Sequence, residues 1–254
     1  MLSDVEKQNI KCVKDAMDGI LVHHDAESVD EHFHPSFVQH NPWAKDGAAH
    51  VKEMCAFTFG LKAVRWAAQG DLVAYHGLYT APNPLGEHPL ICVDIWRVQG
   101  GRIVEHWDAL VPTPAGVAEV MISGGGDGLA VVPAEQVATH AAHARELLEL
   151  GIARGDEAVV RRIVAPSFRA HLPEGDGAAG LERWMSEAAP KIDVRRTVAS
   201  GELVFVHSLI ETADGQQVVF DIFRFDAAGR VTDRWAVAQD VIAPGEAANA
   251  HPHF

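Results

Sequence analysis

The chain has few cysteines, no long apolar run and no excess of positive charge. Its three cysteines, Cys12, Cys55 and Cys92, show no paired spacing over 254 residues. This argues against a disulfide framework and is typical of a reducing cytoplasm. No apolar stretch approaches the roughly 20 residues that cross a bilayer, and residues 1–7 lack a secretory signal pattern. The sequence therefore predicts a cytoplasmic protein without membrane contact.

Positive charge is scarce: Lys and Arg number 21 against 35 Asp and Glu, for a formal net charge of −14. Such a chain repels the phosphates of nucleic acids and of anionic membranes, and no basic patch is visible in it. We therefore expect neither as a partner. The expected partner is a small-molecule substrate or ligand, or another protein.

Apolar residues make up 48% of the chain, enough for one large core or two ordinary ones. Helical spacing at 4–24 is followed by a helical turn at 28–33, an extended stretch at 36–42, and a helix from an Asp46 N-cap to Phe59. Strand-like runs then follow at 62–69, 71–80, 88–99 and 102–112. Helices followed by a strand meander indicate an α+β fold.

The same order starts again after residues 112–133, whose prolines and glycines predict a flexible linker. Helices are expected at 135–153, 156–164 and 176–188, and strands near 191–200, 202–213, 216–226 and 229–241. His40 and His171 lie 131 residues apart, as do His76 and His207. We expect two tandem domains, 1–115 and 134–254, joined by a linker at 116–133. Their simplest arrangement is an intramolecular pseudo-dimer; further oligomerisation is left open.

The repeat allows polar positions to be compared within one chain. The positions kept in both copies pair His40 with His171, His76 with His207, Asp94 with Asp221, and Trp107 with Trp235. By contrast, His106 and Asp108 are replaced by Arg234 and Ala236. Side chains two residues apart on a strand share a face, so His106 and Asp108 can form a proton-handling pair. The first copy is expected to hold the fuller site, and the second to be partly degenerate.

Structural roles compete with this interpretation. Asp94 could pair with Arg97, and its counterpart Asp221 with Arg224. His40 and His171 could hydrogen-bond loop carbonyls and fix a turn. His76 could be a satisfied histidine at a strand end.

Several ordered motifs within residues 4–115 resemble the SnoaL-like polyketide cyclases of the nuclear-transport-factor-like superfamily, which also includes ketosteroid isomerases and limonene epoxide hydrolase. The motifs are Gln39-His40-Asn41-Pro42, Asp46-Gly47, Gly70-Asp71-Leu72-Val73, Val93-Asp94-Ile95-Trp96-Arg97 and Ile103-Val104-Glu105-His106-Trp107-Asp108. The second copy matches more loosely. The resemblance implies cone-shaped domains, in which helices pack on a strongly curved, mostly antiparallel sheet around an apolar pocket.

The resemblance also implies an acid/base enzyme that needs no metal and no organic cofactor. In such a pocket, desolvation raises the pKa of a carboxyl group. Asp108 or Asp94 would be the general acid/base and His106 its partner. The residues expected to contact substrate in the first domain are His40, Trp43, His76, Trp96 and Trp107. Those expected in the second-domain pocket are His171, His207, Asp221, Arg234 and Trp235.

The expected reaction is an aldol-type cyclisation, isomerisation or lyase reaction on a small carbonyl compound, mainly in the first domain. One alternative is an epoxide-hydrolase-like enzyme that uses Asp94 with Arg97, or Asp221 with Arg224 and Arg234. A second is a non-catalytic protein that binds a small ligand. A third is a metal site formed by His40, His76, His106 and Asp108.

Overall fold

The computed structural model describes residues 2–173, 175–177, 181, 184–185, 190–213, 215–243 and 245–254. It confirms the predicted α+β class, with two sheets that each carry helices. We call the part from α1 to β5 the first lobe and the part from α5 to β11 the second lobe. Within the described residues, no helix is both long and apolar enough to cross a membrane.

The first lobe opens with α1, Asp4–Leu21. Ser3 and Glu6 form a reciprocal capping box at its start, which satisfies backbone N–H groups that lack a helical partner. Apolar residues at helical spacing, including Val13, Met17 and Ile20, bury one face of α1 against the sheet. The helix α2, Ala26–His32, follows.

The first sheet has the order β1-β5-β4-β3-β2. Its strands are β1 (Phe33–Gln39), β2 (Leu61–Gln69), β3 (Leu72–Tyr79), β4 (Leu90–Gln99) and β5 (Arg102–Pro112). β1 pairs with β5 in parallel, and the other neighbours pair antiparallel. Gly100 and Gly101 have φ of 57° and 77°, the left-handed conformation that the tight β4–β5 turn requires.

Two local predictions need correction. The helix expected from Asp46 to Phe59 is a short α3, Ala48–Val51, followed by a 3₁₀ turn at Lys52–Ala56. Its N-cap is Gly47, because Asp46 Oδ1 instead accepts the backbone N–H of Gln39 at 2.8 Å. The predicted linker also contains a helix, α4, Ala115–Met121, with Met121 buried. The domain boundaries at 115 and 134 stay a prediction.

The second lobe repeats the element order. It comprises α5 (Ala134–Glu146) with a π-helical continuation at Leu147–Ile152, α6 (Glu157–Ile163), β6 (Val164–Leu172), β7 (Gly175–Gly177), β8 (Lys191–Ser200), β9 (Leu203–Thr212), β10 (Gly215–Phe225) and β11 (Val231–Asp240). Its sheet has the order β7-β6-β11-β10-β9-β8. Of the helix expected at 176–188, residues 176–177 belong to β7, residues 181, 184 and 185 are helical, and the others lie outside the described residues.

The two sheets pack face to face. Alternate residues of β4 point in opposite directions, so Cys92 and Trp96 join the helices on the inner face while Val93 and Ile95 point outward. The outward residues share one buried apolar cluster with Phe220 and other residues of the second lobe. Both faces of each sheet are therefore buried: one under the helices of its own lobe, the other under the partner sheet.

Candidate functional site

The sheet register brings Asp94, His106 and Asp108 together on the inner face of the first lobe. Asp94 lies directly opposite Asp108 on β4 and β5, and His106 lies opposite Trp96. His106 Nε2 is 3.0 Å from Asp94 Oδ1. The three side chains are buried, at 1%, 4% and 3% exposure respectively. Two carboxyl groups and an imidazole thus meet in an environment that is almost free of water.

The hydrogen bonds of Gln39 determine which nitrogen of His106 carries a proton. Gln39 Oε1 accepts the backbone N–H of Asn41 at 2.9 Å and lies 2.9 Å from His106 Nδ1. Because a backbone N–H can only donate, the amide oxygen must face both groups, and Nδ1 must donate to it. His106 Nε2 and Asp94 Oδ1 therefore share a second proton between them.

Burial decides where that shared proton resides. Burial raises the pKa of Asp94 to about 7, although hydrogen bonds from Tyr75, Cys92 and Tyr79 oppose the rise. Burial lowers the pKa of His106 to about 4. The raised pKa of Asp94 and the lowered pKa of His106 both favour the uncharged form of the side chain. Up to neutral pH, Asp94 is therefore a protonated carboxyl group that donates to a neutral His106.

Asp108 has a different environment. Asn41 Nδ2 donates to its Oδ2 at 2.8 Å, and Asn41 Oδ1 accepts the Trp43 N–H at 2.8 Å, which fixes the orientation of the amide. Asp108 Oδ1 is buried without a hydrogen-bond partner. Burial raises the pKa of Asp108 to about 6, with the Asp94 charge adding to the rise and the Asn41 hydrogen bond opposing it. Asp108 thus ionises before Asp94 and keeps one oxygen available to accept a proton.

Aromatic rings enclose this cluster. Trp96 stacks on His106 with ring centroids 3.6 Å apart. Tyr79 Oη donates to Asp94 Oδ1 at 3.4 Å and lies 2.7 Å from Tyr75 Oη. Along β5, Val104 before the cluster and Leu110 after it are both partly exposed. Leu110 also packs against the inner core of the first lobe, so the Leu110 end is one of the two ends of this strand at which the cluster approaches solvent.

Sequence reasoning missed Gln39, Asn41, Tyr75 and Tyr79. The internal repeat carried the signal, since polar residues of the first lobe are apolar at the matching positions of the second. The replacements at these four positions are Ala170, Leu172, Val206 and Ile210. The sheet registers support the correspondence, because Gln39 pairs with His106 as Ala170 pairs with Arg234.

Three residues expected at the first-lobe pocket lie elsewhere. His40 stacks on Trp107 at 4.9 Å, and Trp107 belongs to the apolar cluster between the sheets. His76 also points outward, where Arg65 Nη1 donates to its Nδ1 at 3.2 Å. These three side chains therefore lie away from the Asp94–His106–Asp108 cluster, because adjacent strand positions point to opposite faces. That they contact substrate stays a prediction. Trp43 lies in the loop after β1 and is 47% exposed.

His171, His207 and Trp235, expected in the second-lobe pocket, also lie between the lobes. His171 stacks on Trp235 at 4.7 Å, and Arg196 Nη1 donates to His207 Nδ1 at 3.2 Å. The two lobes exchange equivalent contacts across the interface. Arg65 of the first lobe covers Trp235 at 3.7 Å, and Arg196 of the second covers Trp107 at 3.7 Å. Packing between lobes thus accounts for these repeated residues.

On its inner face, the second lobe has an ion pair in place of the cluster. Arg234 Nε donates to Asp221 Oδ1 at 2.7 Å, and its guanidinium lies 3.8 Å from the centre of the Trp184 ring. Ala236 stands where Asp108 stands in the first lobe. The expected partners Arg97 and Arg224 point outward instead: Arg97 Nε donates to Glu105 at 2.8 Å, not to Asp94.

The first-lobe cluster could hold a metal ion. One ligand atom from each of Asp94, His106 and Asp108 lies within 4.8 Å of the others. A cation there would replace the proton between Asp94 and His106 Nε2, with Gln39 orienting the ring through Nδ1. The set with His40 and His76 does not form, since those two side chains point outward.

Comparison with known proteins identifies one part of the chain. Residues 13–106 match the family of the SnoaL-like domain. No curated protein matches the chain. These residues include Asp94 and His106 but end before Asp108.

Similar solved structures each cover less than half of the chain. An NTF2-like protein of unknown function from Mesorhizobium loti is 18% identical over 44% of this chain and 97% of its own, with a TM-score of 0.38. A protein named as a SnoaL-like polyketide cyclase from Jannaschia sp. CCS1 is 16% identical over 43% and 90%, with a TM-score of 0.37. An LEH-like epoxide hydrolase from M. tuberculosis is 17% identical over 42% and 85%, with a TM-score of 0.36. At these scores the likeness carries no argument about activity.

Proposed function

Residues 13–106 of the first lobe match the SnoaL-like domain family, and on that premise we propose that this lobe is a cofactor-independent acid/base enzyme for a small, largely apolar carbonyl compound. The reaction is an aldol-type cyclisation, an isomerisation or a lyase reaction that begins with removal of a proton next to the carbonyl group. The observation that carries the proposal is the buried cluster of Asp94, His106 and Asp108, which the second lobe replaces with an ion pair and an alanine.

The two carboxyl groups divide the acid and base roles. Burial raises the pKa of Asp108 to about 6 and that of Asp94 to about 7, so between these pH values the larger share of Asp108 is ionised and the larger share of Asp94 is protonated. Two groups whose pKa values differ in this way can act as base and acid in one site. Asp108 Oδ1, which has no hydrogen-bond partner, takes the proton from the carbon next to the carbonyl. Asp94 carries the proton that lies between its Oδ1 and His106 Nε2, and it donates this proton to the substrate oxygen as negative charge develops there, while His106 orients the carboxyl group.

The same step starts each candidate reaction. Loss of the proton to Asp108 leaves an enolate, and the proton from Asp94 converts it to an enol. In an isomerisation, Asp108 returns its proton to a different carbon. In an aldol-type cyclisation, the enolate carbon instead attacks a second carbonyl group, whose oxygen takes the proton that Asp108 had removed, which restores the ionised Asp108.

We propose that substrate reaches the cluster from the Leu110 end. Partly buried apolar side chains lie against the inner core of the first lobe, among them Met54, Cys55, Leu61, Ala63 and Leu110. An apolar substrate that displaced them would keep water away from the carboxyl groups. Exclusion of water maintains the raised pKa values on which the acid and base roles depend.

The experiment is hydrogen–deuterium exchange, followed by NMR, of small ketones and β-keto esters in D₂O with the full chain. We expect exchange next to the carbonyl that Asp108→Asn lowers by about 100-fold or more. Asp221→Asn, at the second-lobe position matching Asp94, is the control and keeps the exchange rate. Circular dichroism establishes that both variants fold. Equal rates in the wild-type protein and Asp108→Asn would refute the assignment.

An epoxide hydrolase in the first lobe would use Arg97 beside Asp94. Arg97 instead points away from Asp94 and pairs with Asp71 and Glu105. Incorporation of ¹⁸O from water into product would nevertheless identify a hydrolase. Saturable ligand binding without exchange or hydrolysis would identify the non-catalytic alternative.

A further inference from the structure

The last residues of the second lobe return to the first lobe. We call residues 245–254 the C-terminal segment and residues 40–47, which follow β1, the site loop. Ala248 N–H donates to the Pro42 carbonyl at 2.7 Å. Asn249 Nδ2 donates to the carbonyls of Asn41 and Ala44, at 2.7 and 2.8 Å. A single amide thus joins two points of the site loop.

Three residues that follow Asn249 also contact the first lobe. His251 Nε2 lies 3.2 Å from Asp46 Oδ2, and Asp46 Oδ1 accepts the N–H of Gln39. His40 Nδ1 donates to the Pro252 carbonyl at 2.7 Å. His253 is 4% exposed, and its Nε2 donates to the backbone carbonyl of Asp108 at 3.2 Å.

The opposite side of the site loop contacts the candidate catalytic groups. Asn41 Nδ2 donates to Asp108, and the N–H of Asn41 holds the Gln39 oxygen that fixes the tautomer of His106. The loop is neither helix nor strand over residues 40–47. Its position is therefore determined by side-chain and tertiary hydrogen bonds, with the catalytic groups on one side and the C-terminal segment on the other.

The first lobe sends an equivalent segment to the second lobe. After β5 and α4, Ser123 Oγ lies 3.1 Å from His171 Nδ1, as the Pro252 carbonyl lies beside His40 Nδ1. There the segment orients no acid/base cluster, because Leu172 replaces Asn41 and Ala236 replaces Asp108. Each lobe therefore sends a segment to the other lobe, but only the C-terminal segment contacts a loop that orients a candidate catalytic cluster.

We infer that the second lobe serves the first-lobe site: its C-terminal segment, through Asn249, positions the loop that orients Asp108 and His106. Asn249 is a positioning residue, since it touches the loop and not the reacting groups. The effect that we expect of Asn249 on turnover rests on the proposed function. The effect that we expect of Asn249 on the pKa of Asp108 does not depend on that function. The second lobe would then contribute to turnover at the first-lobe site.

The test compares Asn249→Ala with Ser123→Ala in the full chain. The first variant removes the amide that holds the site loop, and the second removes a side-chain contact that the corresponding segment of the first lobe makes with His171 of the second lobe. The titration of Asp108 is followed by ¹³C NMR of its carboxyl carbon, assigned by its loss in Asp108→Asn. We expect Asn249→Ala to raise the pKa of Asp108, because the hydrogen bond from Asn41 lowers it. Ser123→Ala leaves this titration at its wild-type position.

Turnover provides a second readout. Displacement of catalytic groups by about 1 Å can cost roughly 100-fold in rate, so we expect Asn249→Ala to lower kcat by up to about that factor, with a smaller change in KM. Identical titrations and rates in the two variants, both folded, would overturn the inference. If Asn249→Ala does not fold, His251→Ala takes its place: it removes the contacts of the C-terminal segment with Asp46 and with the His40 ring, and we expect it to change the pKa of Asp108 in the same direction. If the wild-type chain exchanges no substrate protons, the proposed function fails while the Asp108 titration still decides this inference.

Discussion

Replacing Asp108 with asparagine should flatten the pH dependence of stability. Burial raises the pKa of Asp108 from 3.8 to about 6 in the folded chain. Between pH 5 and pH 8 the unfolded chain is already ionised at this residue, whereas the folded protein must release the proton into a buried site. Stability is therefore lost as pH rises through this range. The loss at this one residue amounts to about 1.4 kcal/mol.

Asp108→Asn removes this loss because an amide does not ionise. The variant also leaves an amide N–H₂ in place of the unpartnered Oδ1, which costs about 1–3 kcal/mol at every pH. That constant cost cancels when the same protein is compared at two pH values. The expected result is that the free energy of unfolding falls less from pH 5 to pH 8 in the variant than in the wild type, by about 1.4 kcal/mol.

The assay is urea unfolding at both pH values, followed by tryptophan fluorescence. Glu87→Gln, which removes an exposed carboxylate, is the control for loss of one negative charge. Equal pH dependence in the wild type and Asp108→Asn would refute the reasoning, because it would mean that Asp108 does not change its protonation in this range. The same outcome would remove the base from the proposed mechanism.

Three further predictions concern the site and the interface. The rate of proton exchange should rise as pH rises through about 6, where Asp108 ionises, and fall above about 7, where Asp94 loses its proton; a profile flat from pH 5 to 8 would contradict both assignments. Gln39→Leu removes the acceptor of Nδ1–H and should destabilise the fold by about 1–3 kcal/mol, while ¹⁵N NMR of the imidazole should show a wild-type Nδ1–H signal that the variant loses. Arg196→Ala removes a guanidinium from Trp107 and should lower the free energy of unfolding by about 2 kcal/mol, with little effect on KM; an unchanged melting temperature would argue against this contact.

The sequence by itself determined the order of elements and the repeat. Helical spacing and strand alternation predicted α1 and β2 to β5 to within a few residues. The His106-x-Asp108 spacing predicted one shared face, because side-chain direction along a strand depends only on parity. The comparison of the two copies distinguished histidines that both copies share, which pack between the lobes, from polar residues that only the first copy has, which lie in the candidate site. Applied to more residues, it would also have indicated Gln39, Asn41, Tyr75 and Tyr79.

Only the tertiary structure determined which face of each strand packs against the helices of its own lobe and which packs against the other sheet. β4 is buried at Leu90, Ile91, Cys92, Val93, Asp94, Ile95 and Trp96 without interruption. A strand buried on both faces shows no alternation between polar and apolar residues, so the sequence does not indicate its direction. For this reason His40, His76 and Trp107 were expected at the pocket but lie between the lobes.

The contacts of the site loop also depend on the tertiary structure. Asn41 and Asp108 are 67 residues apart, and Asn249 lies 208 residues from the Asn41 carbonyl that it contacts. No local propensity or spacing relates residues so distant. The pairing of β1 with β5 brings Asn41 to Asp108, and the packing of the C-terminal segment on the first lobe brings Asn249 to the site loop. The sequence thus contained the acid and base groups, and the fold determined their protonation through burial and the orientation of neighbouring amides.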